Sequence, residues 1–564
     1  MRFVTKLSIL FLVLALGSSA FAGSKKSNLQ KDQQQQAQVD PNADKIFYQE
    51  ARLVENMHKF TPLVETYIQN MKPDEELGSV PDNDKYFLGR LVLNEKGIND
   101  VKFTDKQKTG FFSRVLDRLN SFYRMNYVPL GFMQLIFLND RFDKDNYDLK
   151  YLRQQFLGEV RTMVYDVVPK PKVKGPHFVG RIWVEDQDFN IVRINGTYEP
   201  RPRMGFFFHF DSWRLNMQPG LWLPAYVYTE ESDAKYAFVR KLSMKGQTRL
   251  WAYDLKHSGL QTEFTNMKVD AKDVSDNGGM GSNEFVPVHS EHQWEREAED
   301  NVLDRMERAG VLAPDGEVSK VLQTVVNNLE VTNNLSIEPE VRCRVLLTTP
   351  LESFTIGHTI VLSRGLLDTL PDEASLAMVL SHELGHIALG HRLDTKYAFS
   401  DRTIFPDEQV FQQIAVLHRS GDEEAADQKG MELMQKSPYK DKAATAGLYL
   451  RALEDRSNRL SSLIYPHLGN RMAKGSDVMK MEALVQSSPE LEATNIKQLA
   501  ALPLGSRIKL DPWDDHVEMQ KSKPVALLSA RDKMSFEVTP MYPNLVRYKT
   551  PGSEVASAPK QESK

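Results

Sequence analysis

The sequence predicts a multidomain protein in which a β-rich N-terminal domain precedes an α+β domain. Three observations carry this reading. At 564 residues the chain is too long for one ordinary core. Apolar and polar residues alternate through much of 177–255, the period of a half-buried strand. From Ser290 onward the apolar period becomes helical, and one predicted helix carries His382 and His386 four positions apart. A composition of 41% hydrophobic and 26% charged residues is that of a globular protein. The net charge of −5 and the lack of any basic block give no reason to expect nucleic acid or an anionic membrane surface as partner.

The first segment, 1–22, reads as a secretory signal. Arg2 and Lys6 precede an apolar run from Leu7 to Leu16, and small residues follow to Ala20-Phe21-Ala22. That run falls short of the ~20 residues that cross a bilayer, so no integral membrane segment is expected once the signal is removed. The predicted location is periplasmic or secreted. Cys343, the single cysteine, excludes an internal disulfide and sits in an apolar run that reads as a buried strand.

Residues 23–45, rich in Lys, Gln and Asp, read as a flexible tether. The β-rich domain is assigned to 46–268. Within it, a helix is expected over Gln107–Tyr123, and strands over 177–198 around the turn Asp186–Asn190. Strands also occupy 206–228, broken at Pro219-Gly220, and two more are expected over 236–255. The run Gly180–Glu185, Asn190–Ile194 and Gly220–Pro224 resembles bacterial lipoprotein-carrier-like half-barrels, a resemblance of fold that implies a hydrophobic binding groove. The alternative is a sheet that only packs on the next domain. A polar, glycine-rich linker (269–289) then leads to the α+β domain (290–480), a C-terminal extension packing on the core (481–548) and a polar tail (549–564). In the α+β domain, Glu291–Ala309 and Glu317–Asn328 read as helices and Glu340–Thr348 and Ser353–Ser363 as strands. Helices resume from Pro371.

His382-Glu383-Leu384-Gly385-His386 is an H-E-x-x-H pattern. On a helix, residues four apart differ by ~40° around the axis, so both imidazoles reach one metal ion. Glu383, turned ~100° from His382, is placed to act as general base on a water at that ion. The helix has a good first turn in Pro371-Asp372-Glu373 and an apolar stripe of Leu376, Leu380, Leu384 and Ile387. His391, nine residues past His382, falls on the opposite side of a continuous helix and reads as structural. Downstream, Glu423 and Asp427 share a helix face with Ala426 and Gly430. Glu423 would complete a His₂Glu site, and Asp427 would accept a hydrogen bond from the outer nitrogen of a ligand histidine. The competing reading of Asp422-Glu423-Glu424 is a solvated acidic face.

The run His382–His391 followed by Glu423-x-x-Ala426-Asp427-x-x-Gly430 resembles the gluzincin family of HtpX, BepA and the CAAX prenyl endopeptidase, with further likeness in Ile360–Leu367 and Arg419. The resemblance spans about Glu291 to Arg471. It implies a zincin metallopeptidase fold and metallo-endopeptidase activity with one Zn²⁺ per chain, Glu423 as ligand and Asp427 as its support. Two departures stand out. Glu352-Ser353-Phe354-Thr355 replaces the family's Asn-Ala-Phe-Ala on the strand that binds substrate main chain. Tyr465 stands where the family has a histidine; a tyrosine hydroxyl can donate to an oxyanion, and His467 is the alternative donor.

The expected function is zinc-dependent hydrolysis of peptide bonds in exported or envelope proteins, with protein or peptide substrates. The alternative is a periplasmic chaperone-like or binding protein with a β-domain groove and a structural or weakly active zinc site. The signal predicts a mature chain that begins near Gly23. N-terminal sequencing of the exported protein checks this, and recovery of the full-length, membrane-embedded chain would contradict it.

Overall fold

The structure, a computed structural model, describes residues 41–75, 78–94, 97–102, 138, 141–200, 208–236, 240–253, 287–391, 418, 420–464, 473–474, 477–478, 481–492, 508–510, 517–519, 538 and 545–548. The predicted signal, the helix over 107–123, most of the linker, the tail, Arg419, Tyr465, His467 and Arg471 lie outside these residues. Helix α1 (Ala43–Met57) opens inside the stretch read as tether.

Ten strands follow: β1 (Leu63–Asp74), β2 (Gly78–Asn94), β3 (Gly97–Lys102), β4 (Tyr147–Leu157), β5 (Val160–Pro169), β6 (His177–Glu185), β7 (Ile191–Glu199), β8 (His209–Gln218), β9 (Leu221–Tyr236) and β10 (Arg240–Trp251). They form one antiparallel sheet in the order β3-β2-β1-β10-β9-β8-β7-β6-β5-β4, open at β3 and β4. Strands adjacent in the sheet are consecutive in sequence everywhere except at β1–β10, where Leu63 lies opposite Trp251, and the consecutive strands β3 and β4 form its two edges. The two strands expected over 236–255 are one strand, β10, with a register shift between Leu242 and Met244 against β9.

Alternation along β1 explains how the sheet is used. Leu63 and Tyr67 belong to an apolar cluster that continues into the α+β domain. Val64 and Ile68 face the other way, into a cluster with Ile46, Phe47, Leu53 and Met57 of α1. A period of two thus puts one buried face on each side of the strand. The C-terminal chain crosses the sheet as well: Val538 N–H donates to Gln69 Oε1 (2.9 Å), and Arg547 pairs with Glu185 and Asp186 at 3.1 and 2.9 Å.

In the α+β domain, α2 (Pro287–Arg308) begins within the predicted linker, and α3 (Glu317–Thr332) follows. Strands β11 (Arg342–Leu346), β12 (Ser353–Ile356) and β13 (Thr359–Ser363) form a sheet in the order β11-β13-β12. The stretch 353–363 is therefore a hairpin rather than one strand, turning at Gly357 with φ of +56°. Strand β11 is parallel to β13, and β12 is an antiparallel edge strand. Cys343 is buried in β11, and burial pushes its thiol pKa up. Helices α4 (Glu373–Ala388), α5 (Ser420–Gln435) and α6 (Ala443–Ser457) complete the domain. None of the described helices is long and apolar enough to cross a membrane.

Helix α4 is buried from Ala374 to Ile387, all the way round. Its start is fixed by Asp372, whose carboxylate accepts from Ser375 N–H and Oγ–H at 2.9 and 2.8 Å. Helix α5 lies against it at a distance that only small residues allow. A Cβ on Gly385 would meet the Ala426 carbonyl oxygen at 2.7 Å, and one on Gly430 would meet His382 backbone at 3.1 Å. Gly385→Ala should therefore force α4 and α5 apart, lowering stability by about 1–3 kcal/mol and weakening zinc binding. Gly421→Ala, which meets nothing within 4 Å, should be neutral or stabilising by up to about 1 kcal/mol. Urea unfolding and chelator competition on both variants check the contrast.

Candidate metal centre

The close approach of α4 and α5 brings one ligand atom from each of His382, His386 and Glu423 within 4.8 Å of the others, and all three residues are buried. The Nε2 atoms of His382 and His386 are 3.1 Å apart. Glu423 Oε2 lies 3.4 Å from the first and Oε1 lies 3.2 Å from the second. A tetrahedral zinc with bonds of ~2.0–2.1 Å has ligand–ligand edges of about 3.3 Å, so this triangle is the size of one face of such a site. Two neutral nitrogen donors and one carboxylate suit a divalent ion of borderline softness, and the residues present fit zinc.

The imidazoles are held from behind. His382 Nδ1–H donates to Asp427 Oδ1 at 2.6 Å, which leaves Nε2 unprotonated and aimed at the triangle. Glu423 and Ala426 are buried on α5, whereas Glu424, one residue on, is exposed. The acidic run is thus split by the helix: one carboxylate turns inward and its neighbour turns to solvent.

His391 is a correction. Read on a continuous helix it faced away from the site, but α4 stops at Ala388. Gly390 adopts φ of +69°, and His391 N–H returns to the His386 carbonyl at 2.9 Å, closing a left-handed helix cap. The turn brings His391 Nδ1 to 2.9 Å from His386 Nδ1, so it does for His386 what Asp427 does for His382. Burial first, and then the neighbouring His386, lower the His391 pKa, which favours the neutral ring, the form that can accept. Gly390 was the signal for this in the sequence, since glycine just past a helix favours such a reversal.

His418 was not anticipated. Its ring stacks on His386 at 3.8 Å, and its Nε2 lies 3.2 Å from Thr355 Oγ1. No spacing rule links it to the H-E-x-x-H pattern. Glu383 is fully buried, and its Oε1 accepts from Ser353 Oγ–H on β12 at 2.7 Å. Ser353 and Thr355 share the face of β12 towards the histidines, while Phe354 and Ile356 point into the apolar core.

Residues 316–493 match peptidase family M48. This segment is an M48 metallopeptidase domain. The match covers about a third of the chain and includes the whole triangle of ligand atoms; M48 peptidases are zinc enzymes that act on protein substrates. No curated protein matches the chain as a relative. In the M48 domain Glu423→Ala should abolish zinc retention at micromolar chelator, and Glu424→Ala should leave it unchanged. Asp427→Ala should weaken zinc by about 10–100-fold, the usual effect of losing the partner of a ligand imidazole. Zinc titration against a chromogenic chelator reads all three, and a loss in Glu424→Ala but not Glu423→Ala would refute the helix register.

Proposed function

We propose that the chain is an exported zinc metallo-endopeptidase that hydrolyses peptide bonds in exported or envelope proteins. The observation that carries the reading is the buried triangle of His382, His386 and Glu423 with the Glu383 carboxylate one helical position away, held by Ser353. A purely structural metal site has no use for such a carboxylate.

When bound, zinc supplies a Lewis acid that polarises a peptide carbonyl and lowers the pKa of a water towards ~7. His382, His386 and Glu423 hold it, and Asp427 and His391 keep the two imidazoles in the tautomer that presents Nε2. Glu383 takes the proton of the attacking water and delivers it to the leaving amine. The site is secluded from bulk water by the packing of α4, α5 and β12, which strengthens each of these interactions. Strand β12, at the edge of its sheet among the described residues and beside α4, is the element we assign to pairing with an extended substrate main chain, and Ser353 and Thr355 replace the smaller family side chains next to it. Tyr465 is assigned the oxyanion donor, with His467 as the alternative. We assign the reaction to the outside of the cytoplasm on the strength of the signal read in residues 1–22.

Glu383→Gln should retain zinc and lose at least about 100-fold in kcat on an unfolded protein substrate, the size of effect that removal of a general base produces. Cleavage by the wild type should stop on chelation and return on adding zinc. A Glu383→Gln variant with wild-type turnover would eliminate this chemistry. Chelator-insensitive client binding without cleavage would favour the chaperone-like reading instead.

A further inference from the structure

Strand β12 is four residues long and, among the described residues, is paired with β13 alone. Its position against α4 decides where Ser353 meets Glu383. Both of its ends are tied by buried carboxylates. Beyond its C-terminal end, Glu299 of α2 accepts from the N–H of His358 at 2.8 Å, and its Oε1 fills the space a Cβ on Gly357 would need, 1.8 Å away. Ahead of its N-terminal end, Glu65 of β1 accepts from Thr349 N–H and Oγ–H, both at 2.6 Å, across 284 positions of sequence. Glu65 is itself steadied by Tyr86 of β2, whose hydroxyl donates at 2.9 Å. On the same face Asp84 accepts from Ser462 and Leu463 N–H, both at 2.8 Å, and the Leu463 carbonyl accepts from Leu351 N–H at 2.8 Å.

These groups are expensive to bury. Desolvation pushes Asp84 above its usual range, more strongly than its two backbone donors pull it down. Arg364, facing Glu65, is drawn down to about 9, by burial first and by Arg249 next. Apolar packing would join the same surfaces at less cost, so what the carboxylates add is a defined register. Both Glu65 and Glu299 lie outside the segment that matches family M48.

The geometry points to Glu65 as a positioning residue for hydrolysis: the N-terminal sheet, together with Glu299, clamps β12 so that Ser353 holds Glu383. The sheet is then a working part of the peptidase site. This rests on the peptidase reading above.

The test uses the full chain. Glu65→Gln should lower kcat/KM by about 10–100-fold, the range that a displacement of reacting groups by ~1 Å produces, with zinc affinity unchanged. Amide exchange across 349–358 should accelerate in the same variant, in the zinc-loaded protein without substrate. Ser353→Ala should lower kcat with little change in KM, and Ser353→Thr should restore it. In a Ser353→Ala background Glu65→Gln should cost less in kcat than it does in the wild type. Should Glu65→Gln fail to fold, the isosteric Thr349→Val removes one of the two bonds and should move exchange and kcat/KM the same way by less. The proposal is overturned if exchange at 349–358 and kcat/KM stay at wild-type values. It is equally overturned if zinc affinity falls in step with activity. A wild type without chelator-sensitive cleavage would overturn the peptidase reading while the exchange arm still tests the clamp.

Discussion

Everything at the metal centre depends on how closely two helices approach. The two histidines come from α4 and the carboxylate from α5, and the three donor atoms form a triangle only because Gly385, Ala426 and Gly430 leave no side chains between the helices. Packing density in a protein interior is high enough that one added methyl group at such a contact must displace backbone. Metal affinity is thus a packing property here as much as a property of donor chemistry.

The parts of this arrangement legible in the sequence are those with local spacing rules. The H-E-x-x-H pattern and the small residues beside Glu423 sit within a few positions of what they act on, so helical geometry alone relates them, whereas Asp372, read as a first-turn residue, is the N-cap of a helix that starts at Glu373. The misreading of His391 came from extending that geometry one turn too far: Gly390 ends the helix, and the reversal brings the side chain back. Strands between the turns at 186–190 and 219–220 were legible from alternation, whereas β1–β5 were not singled out, because polar residues such as Glu65, Gln69 and Asp84 occupy buried positions on them. Those residues break the alternation for the same reason that they matter: they face another part of the chain. His418 and Ser353 reach the centre from loop and strand positions that no periodicity connects to it.

The contact between the sheet and the α+β domain is unlike a generic apolar seam. Trp251 Nε1–H donates to the Gly310 carbonyl at 2.8 Å and Arg90 to that of Ala309 at 3.0 Å, adding to the carboxylate pairs from β1 and β2. Directional bonds of this kind give modest net stability, but an imperfect docking would leave several buried groups unsatisfied at once. Two surfaces joined in this way have one good relative placement and many poor ones.

The pairing of β1 with β10 carries a consequence for how the protein is made. All other neighbours in the large sheet are joined by chain that runs directly from one strand to the next, but β1 has to wait for the strand opposite it to emerge last. Contacts so distant in sequence form late, because loop closure must precede any gain from them. β1 is also the strand that reaches into the M48 domain through Glu65. A chain emerging N-terminus first has all ten strands out before the segment that contains Thr349, so β1 can close against β10 before it meets the M48 domain. The long-range closure of the sheet is thus the step that also brings the first carboxylate of the inter-domain contact into place.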